Sequence, residues 1–562
     1  MKNISLPFSV TALLMLLLSG VPVLRADVKM PAIFGDHMVL QQDSKIPVWG
    51  WAAPGEKVNV ALGTKTADTT ADAQGKWRVD LPPLPAGSTA QTLKITGKNV
   101  IQIQDVLVGD VWLCSGQSNM QFGLMNEPNA ADELKKADEP QIRIFYVPMK
   151  AYIHPQGDIA VTSKNLEGKW LVCTPFNIHF DGNWGGFSAV AFYFGREIHQ
   201  FTGKPVGLIG SYWGATPAQA WTSLEALEKY PALDHFVKEY QTRAARYTAP
   251  DAKYKDIMEE NDAEMAQWKA EVEAPFHTAM ANWQLTANEY KAIGQPPPPK
   301  PTLARPGPGH PGLTASVLFN GMVAPLIPFG LKGVIWYQGE ANEGNGLEYG
   351  TLFPAMITDW RERWGESDFP FLFVQLANYR QPATKPCEGN WAWVRDSQLH
   401  TLSLPNTGMA SAIDIGNPND IHPKDKADVA ARLALAAKQV AYGQKDIVYS
   451  GPLYDSMRQE GEQIRIHFTQ VGSGLTIGTP PWTWNGKPVP PPTELTGFAI
   501  AGADKKWYWA HAVIDGDGVV VSSNQVPNPV AVRYGWADNP RCNLYNKEKL
   551  PASPFRTDSW PN

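Results

Sequence analysis

The stretch that decides the fold reads VLVGDVWLCSGQSNM and covers residues 106–120. It opens with a largely apolar run from Val106 to Leu113, which predicts a strand buried on both faces. A polar, glycine-containing turn follows, so Ser118 is expected just beyond the carboxyl end of that strand. The α/β folds carry their reactive groups at this edge of the sheet. Because an unassisted serine hydroxyl is a poor nucleophile, the alternative of a simple turn hydroxyl stands unless a base and a group that orients it lie within reach.

Beyond this stretch, strand-like apolar runs alternate with longer helical patterns as far as Tyr442. The strand candidates include PVGLIGSYW, LKGVIWYQG, FPFLFVQLA and TGMASAIDIG. The helical candidates, such as DKADVAARLALAAKQVAYG, have apolar residues three and four positions apart. This alternation predicts an α/β fold, in which a mostly parallel sheet is covered on both faces and functional residues lie in the loops beyond the strand ends.

Other segments flank or interrupt that pattern. From residue 27 to about 104, short β-type runs alternate with turn signals, and a similar β pattern returns after about residue 444. Between about 223 and 312, an acidic, helix-prone segment leads into four consecutive prolines, Pro296–Pro299. Such a tract cannot be helical and favours a stiff polyproline II strap that carries the chain back to the sheet. A disordered linker is the alternative.

The first residues predict export. Lys2 precedes an apolar stretch from Val10 to Leu24, and the chain turns polar just after Ala26. This order is typical of a secretory signal peptide, and about 15 apolar residues fall short of the roughly 20 that a membrane span needs. We therefore expect a secreted or periplasmic protein with no membrane attachment after cleavage. The predicted units are a signal peptide (1–26), an N-terminal β domain (27–105), an α/β domain in two parts (106–222 and 313–445), an inserted helical subdomain with a proline-rich strap (223–312) and a C-terminal β-rich module (446–562).

The composition of the chain excludes some binding partners and some classes of protein. A formal net charge of −6 provides no basic stripe for phosphate contacts, which argues against nucleic acid and anionic membrane surfaces as partners. The 21 tryptophans suit stacking against sugar rings, and they equally suit a large buried core. The cysteines are too few for a disulfide scaffold and lack the paired spacing of a zinc site, which leaves one or two bridges open in an oxidising compartment. They are Cys114, Cys173, Cys387 and Cys542. The oligomeric state is not indicated.

The best candidate base lies in DIGNPNDIHPKDK, residues 414–426. His422 follows a predicted strand and precedes a predicted helix, and imidazole titrates near neutrality, which suits taking and returning a proton. Asp420, two residues earlier, could hold the ring in one tautomer. The alternative is a surface histidine, with Asp420 and Asp425 serving only as caps of the following helix.

Acyl transfer also needs donors for the developing oxyanion. Gly214, in GSYWGATPAQAW, lies in a loop where the missing side chain lets the backbone N–H approach a ligand. The stretch WYQGEAN puts Gln338, Glu340 and Asn342 at the next strand end. Each of these alone would be an ordinary turn glycine, amide or solvated carboxylate. Four strand ends that together carry a serine, a glycine, an amide cluster and an Asp–His pair indicate one catalytic site.

The motifs CSGQSNM, GVIWYQGEAN, DIHPKDK and AVRYGWADNP resemble the sialate O-acetylesterase family of the SGNH hydrolase superfamily, from MPAIFGDHMVLQQ to SPFRTD. The resemblance implies a flavodoxin-like, three-layer SGNH hydrolase domain with N- and C-terminal β-rich accessory modules and a helical insertion. It also implies a serine esterase that removes acetyl groups from carbohydrates, with no metal and no organic cofactor. Carried over by motif, Ser118 matches the nucleophile, Gly214 an oxyanion-hole glycine, Gln338 or Asn342 the amide donor, and His422 the base.

The residue that orients the base is the point where this chain departs from the superfamily pattern. Many SGNH hydrolases place an acid three residues before the histidine, where this chain has Asn419. Asp420 is displaced by one residue and Asp414 is a further candidate. Some relatives use a serine–histidine dyad whose imidazole is oriented by other groups, such as a backbone carbonyl.

The resemblance leaves the acceptor sugar open between sialic acid and plant cell-wall glycans such as xyloglucan or xylan. Asn119, Trp213 and Glu340 are expected to bind substrate or to support the residues that do. A sialate pocket should offer an arginine to the carboxylate, and Arg305 in the strap is one candidate. The rival function is a secreted carbohydrate-binding protein that has lost catalysis. A metal-dependent hydrolase finds no support, because the chain has no HExxH or comparable ligand spacing.

Overall fold

The structure, a computed structural model, describes residues 27–161, 166–179, 184–365, 368–480 and 491–560. The predicted signal peptide lies outside the described residues. Within the described ranges, no helix is both long enough and apolar enough to cross a membrane. All four cysteines are free thiols, so neither of the bridges left open by the sequence forms.

The N-terminal region is built from short strands whose side chains alternate between core and solvent. In KWRVDL, for example, Trp77, Val79 and Leu81 are buried while the residues between them are exposed, as expected of strands that have one solvated face. The strands are β1 (Val39–Gln41), β2 (Ile46–Trp51), β3 (Lys57–Leu62), β4 (Lys65–Thr70), β5 (Lys76–Leu81), β6 (Gly87–Thr96) and β7 (Val100–Gly116).

Strand β7 belongs to both the N-terminal region and the central sheet. Its first half pairs antiparallel with β6, and its second half pairs in parallel with strands of the central sheet. Asp105 has φ of 54°, in the left-handed region, where the strand changes direction. The predicted boundary between residues 105 and 106 therefore falls inside one continuous strand, and no linker separates the two regions.

The central sheet confirms the predicted flavodoxin-like α/β fold. Its remaining strands are β8 (Glu139–Tyr146), β9 (Trp170–Cys173), β10 (Val206–Tyr212), β11 (Gly333–Tyr337), β12 (Phe371–Gln375) and β13 (Thr407–Ser411). The order is β13-β12-β11-β7-β10-β8-β9, and every pair in it is parallel except β8 with β9. Without β8 and β9, the strand order is the 2-1-3-4-5 of flavodoxin-like sheets. The carboxyl ends of β7, β10, β11 and β13 therefore meet at one edge.

Helices cover both faces of this sheet. The α-helices among the described residues are α1 (Ser118–Gln121), α2 (Ala130–Lys135), α3 (Pro175–Ile178), α4 (Ala189–Thr202), α5 (Leu224–Leu227), α6 (Asp234–Thr248), α7 (Ile257–Trp268), α8 (Ala274–Ala292), α9 (Gly346–Trp364), α10 (Asn390–His400) and α11 (Lys426–Val440). Side chains of β7 alternate between two cores: Leu113 joins the core that contains α9, and Trp112 joins the core that contains α4 and α11. The result is three layers.

The insertion is helical, with α5 to α8 and a π-helical turn, Lys269–Glu273, between α7 and α8. The proline-rich strap then runs back along these helices. Two indoles hold it, because Trp283 Nε1 donates to the Pro298 carbonyl at 2.8 Å and Trp268 Nε1 donates to the Arg305 carbonyl at 3.2 Å. The strap thus follows a defined path toward the sheet.

The C-terminal region consists of two four-stranded antiparallel sheets and a two-stranded ribbon around one apolar core. Ile464 and Val521 enter that core from one sheet, and Phe498 and Val532 enter it from the other. Its strands are β14 (Leu453–Glu460), β15 (Gln463–Thr469), β16 (Leu475–Ile477), β17 (Phe498–Gly502), β18 (Trp507–Trp509), β19 (His511–Asp515), β20 (Gly518–Ser522), β21 (Pro529–Tyr534), β22 (Leu544–Asn546) and β23 (Phe555–Arg556).

Candidate active site

Ser118 is the first residue of α1, directly after the sharp turn that ends β7. Gly116, the last residue of β7, has φ of 139°, and a Cβ there would stand 2.2 Å from the Tyr337 carbonyl oxygen of β11. Only glycine allows this approach. The next N–H, that of Gln117, donates to the same Tyr337 carbonyl at 3.0 Å. The turn places Ser118 at the carboxyl edge of the sheet, as the sequence predicts.

His422 reaches Ser118 from the loop between β13 and α11. Its Nε2 lies 3.0 Å from Ser118 Oγ, and the Trp184 ring packs edge-to-face against the imidazole at 4.8 Å. Burial is the main cause that lowers the pKa of His422; the charge of Lys426 lowers it further and that of Asp420 opposes both. The imidazole is therefore neutral near pH 7 and can accept a proton.

Asp420 is the carboxylate beside His422. Its Oδ1 lies 3.4 Å from His422 Nδ1 and accepts the backbone N–H of His422 at 3.0 Å. Asn419, three residues before the histidine, instead accepts a hydrogen bond from Gln381 at 3.1 Å. The Asp420 contact is long, and its side chain is 40% exposed, so the imidazole is held more loosely than in a tight triad.

Asp414, the other acid considered, is engaged elsewhere. Its carboxylate makes a bidentate pair with Arg432 at 2.7 and 2.9 Å and accepts the Tyr545 hydroxyl at 2.9 Å. It is buried and joins α11 to the C-terminal region. The structure does not support Asp414 as the group that orients His422, because both its oxygens are occupied by these partners.

Gly214 lies against Ser118, but its N–H is not free. A Cβ on Gly214 would stand 3.3 Å from Ser118 Cβ. Its N–H donates to Gln121 Oε1 at 2.7 Å, so an amide oxygen already occupies the donor assigned to the oxyanion. Sequence reasoning did not identify Gln121; the available signal was its position three residues after Ser118, on the same face of a helical turn.

Gln338 and Asn342 are turned toward the loop that follows Gly214. Gln338 Nε2 donates to Asn342 Oδ1 at 2.7 Å and to the Thr216 carbonyl at 3.3 Å, and its Oε1 accepts the Tyr349 hydroxyl at 3.0 Å. Both amide hydrogens of Gln338 are used, so the expectation of an oxyanion donor at Gln338 does not hold in this structure.

Asn342 braces the same loop. Its Oδ1 also accepts the Ala218 N–H at 2.9 Å, and its Nδ2 donates to Gln219 Oε1 at 3.0 Å. The amide cluster at the end of β11 therefore supports the backbone next to Gly214, and in the described part of the chain neither amide is hydrogen-bonded to Ser118.

Asn119 and Glu340 form a buried pair beneath Ser118. Asn119 Nδ2 donates to Glu340 Oε1 at 2.5 Å and to the Ile421 carbonyl at 3.1 Å. Glu340 is buried, and burial raises its pKa. It is therefore not the solvated carboxylate that the sequence allowed as an alternative. Both residues support the catalytic turn from below.

The strap brings a second histidine to the other side of the site. The His310 ring lies 4.9 Å from the Trp213 ring, and its Nδ1 accepts the Gly312 N–H at 3.0 Å. Burial lowers the pKa of His310, and a hydrogen bond to the Gly214 backbone opposes that effect. Arg305, in contrast, pairs with Glu271 at 3.1 Å on the surface of the insertion.

A cavity of about 570 Å³ opens beside His422. Both acidic and basic side chains line it, including Glu127, Glu133, Arg196, Lys424 and Asp425. Over the described ranges, no group of three or more His, Cys, Asp or Glu side chains is placed to hold a metal ion.

Comparisons with known proteins point to one family. The carbohydrate esterase family described as sialic acid-specific acetylesterase matches residues 319–440. The chain is similar to the sialate O-acetylesterase of Mus musculus, with 33% identity over 558 residues that cover 92% of each chain. It is also 30% identical to the sialate O-acetylesterase of Pongo abelii, over 92% of this chain and 90% of that one. A carbohydrate acetylesterase structure from Xanthomonas citri matches with a TM-score of 0.73 and 35% identity, over 95% of this chain and 100% of that one.

Proposed function

Because this chain belongs to the sialate O-acetylesterase family and is a carbohydrate O-acetylesterase, we propose that Ser118 is its nucleophile and His422 its general base. The observation that carries the proposal is the 3.0 Å contact between His422 Nε2 and Ser118 Oγ at the carboxyl edge of the sheet. Asp420, next to Nδ1, favours the tautomer that carries its proton on Nδ1 and leaves Nε2 free to accept.

The reaction proceeds in two halves. His422 Nε2 takes the proton of Ser118 while Oγ bonds to the acetyl carbon. The tetrahedral intermediate collapses, the bond from that carbon to the sugar oxygen breaks, and His422 returns the proton to the leaving sugar hydroxyl. Water then gives a proton to His422 and attacks the acetyl-serine, and acetate leaves as Ser118 Oγ is protonated again.

The oxyanion is stabilised by backbone donors in this proposal. The N–H groups of Ser118 and Gly214 are the candidates, and Gln121 must move away from Gly214 when an acetyl group enters. The loss of one such donor typically slows an acyl transfer by about 10²–10³-fold, so the position of Gln121 matters to the rate.

The acceptor is an acetylated carbohydrate, with O-acetylated sialic acid and neutral plant glycans such as xyloglucan or xylan as the two candidate classes. A sialate carboxylate calls for a free arginine. Arg196 in the cavity beside His422 is paired with Glu133 at 2.9 Å, and Arg305 is paired with Glu271. These two arginines are therefore not free to bind a sialate carboxylate. The sequence at residues 2–26 supports the further proposal that the enzyme is exported.

The test is acetate release by the protein from Asp27 onward, with 9-O-acetylated sialic acid, acetylated xyloglucan oligosaccharides and acetylated xylan as substrates. We expect release from at least one substrate, and its loss in Ser118→Ala to within a trace. Residual activity of Ser118→Ala above a trace would overturn the mechanism. No release from any substrate, nor from a small activated acetyl ester, would support the binding-protein alternative.

A further inference from the structure

Lys426 is a charged residue buried beneath the catalytic pair that the mechanism above does not use. It is the first residue of α11 and is 0% exposed. Its ammonium donates to Asn119 Oδ1 at 2.5 Å and lies 4.8 Å from the centre of the Phe122 ring and 5.2 Å from that of Tyr337. Burying an ammonium is costly unless strong partners stabilise it, and here one amide oxygen, two ring faces and nearby carboxylates do so.

Asn119 connects this lysine to both catalytic residues. It follows Ser118 directly in the chain, and its Nδ2 donates to the carbonyl of Ile421, the residue before His422. The ammonium has only donors, so it specifies which end of the Asn119 side chain is oxygen and leaves the NH₂ end for Ile421 and Glu340. The contact therefore helps to hold the serine turn and the histidine loop at one separation.

A small number of charged groups act on His422 and on Lys426. Asp420 and Lys426 act on His422 with opposite signs. Burial lowers the pKa of Lys426 to about 7. Four carboxylates from three parts of the chain oppose this lowering, because they favour the charged ammonium. These carboxylates are Glu340, Glu127, Asp420 and Asp425.

We propose that Lys426 is a positioning residue of the esterase, which orients Asn119 so that Ser118 and His422 stay in register. The ammonium of Lys426 also disfavours the protonated imidazole of His422. The proposal rests on the proposed function, because it requires His422 as the base. It gives a specific role to the second lysine of DIHPKDK, which is fully buried.

The central experiment compares Lys426→Met with Lys438→Met. Methionine keeps most of the apolar stem and removes the ammonium. Lys438 is a matched control, because it lies on the same helix and also contacts a ring, that of Phe201 at 5.3 Å, and a carboxylate, Glu197 at 3.8 Å. We expect Lys426→Met to lower kcat by about 10- to 100-fold, as a loss of register would, with a smaller change in KM. Lys438→Met should keep the wild-type kcat.

The pH readout separates the proposed role from a loss of packing. Removal of the ammonium raises the pKa of His422, so the acid limb of the kcat/KM profile should move to higher pH. The same shift should appear in an NMR titration of the His422 imidazole, with its signal assigned through His422→Gln. An unchanged limb and an unchanged imidazole titration in a folded Lys426→Met protein would overturn the proposal.

Asn119→Ala keeps the inference testable if Lys426→Met does not fold. This variant removes the link while it leaves the lysine in place, and kcat should fall by a similar factor. A folded Asn119→Ala enzyme with wild-type kcat would overturn the positioning role. The NMR titration needs no turnover, and Ser118→Ala is assayed in parallel, so failure of the esterase mechanism would be distinguished from failure of this inference.

Discussion

At the scale of single residues, Asp420 and Lys426 bias the same imidazole in opposite directions. Asp420→Asn removes a charge that raises the pKa of His422, so the acid limb of kcat/KM should move to lower pH. The rate should also fall, by about 10- to 100-fold rather than the ~10⁴-fold of a tight triad, since the Oδ1–Nδ1 distance is 3.4 Å.

The measurement is a pH profile of kcat/KM for wild type, Asp420→Asn and Lys426→Met with one substrate. We expect the acid limb of Asp420→Asn to lie at lower pH than that of the wild type, and the acid limb of Lys426→Met to lie at higher pH. A shift of Asp420→Asn to higher pH would contradict the assignment of Asp420 as the partner of Nδ1.

At the scale of elements, the strap lies beside the proposed catalytic site, because it carries His310 to Trp213 and Gly214. His310→Ala should let the Trp213 loop relax and lower kcat/KM for the acetylated glycan by about 10-fold or more. The measurement is steady-state kinetics with glycan and with a small acetyl ester.

Trp283→Phe is the control for that prediction. It removes the hydrogen bond from the Trp283 indole to Pro298, which fastens the strap to α8 at another point. It should cost about 1 kcal/mol of stability and leave kcat/KM near the wild-type value. Equal kinetic losses in both variants would mean that the strap acts only through its overall attachment.

At the scale of the whole molecule, Asp414, Arg432 and Tyr545 join the hydrolase sheet to the C-terminal region. Asp414→Ala removes the bidentate carboxylate of the buried Arg432 and leaves it the Ser411 carbonyl and a 4.0 Å approach to Asp428, which should reduce the free energy of unfolding by about 3–5 kcal/mol. Denaturant unfolding measures this loss. Asp420→Asn, at the half-exposed site, should change stability by about 0.5 kcal/mol or less. A stable Asp414→Ala protein with low specific activity would instead place Asp414 in catalysis.

Local sequence patterns determined the architecture. Apolar runs of strand length and helical spacing each depend on neighbouring residues, so they predicted the α/β alternation, the β-rich flanks and the helical insertion. The same patterns placed Ser118 and His422 at strand ends that a parallel sheet must bring to one edge, although 304 positions separate them. The glycine in the polar stretch after β7 likewise predicted the turn that the structure shows at Gly116.

Only the tertiary structure decided how the polar groups at that edge are shared. Gln121 takes the N–H of Gly214 across 93 positions, Gln338 spends its donors on Asn342 and Thr216, and Asp414 turns to Arg432. The physical reason is that a buried donor or acceptor must find a partner, and the partner is whichever group packing brings within about 3 Å. Residue type and spacing show which polar groups compete for hydrogen-bond partners at this edge. The three-dimensional packing decides which of them pair.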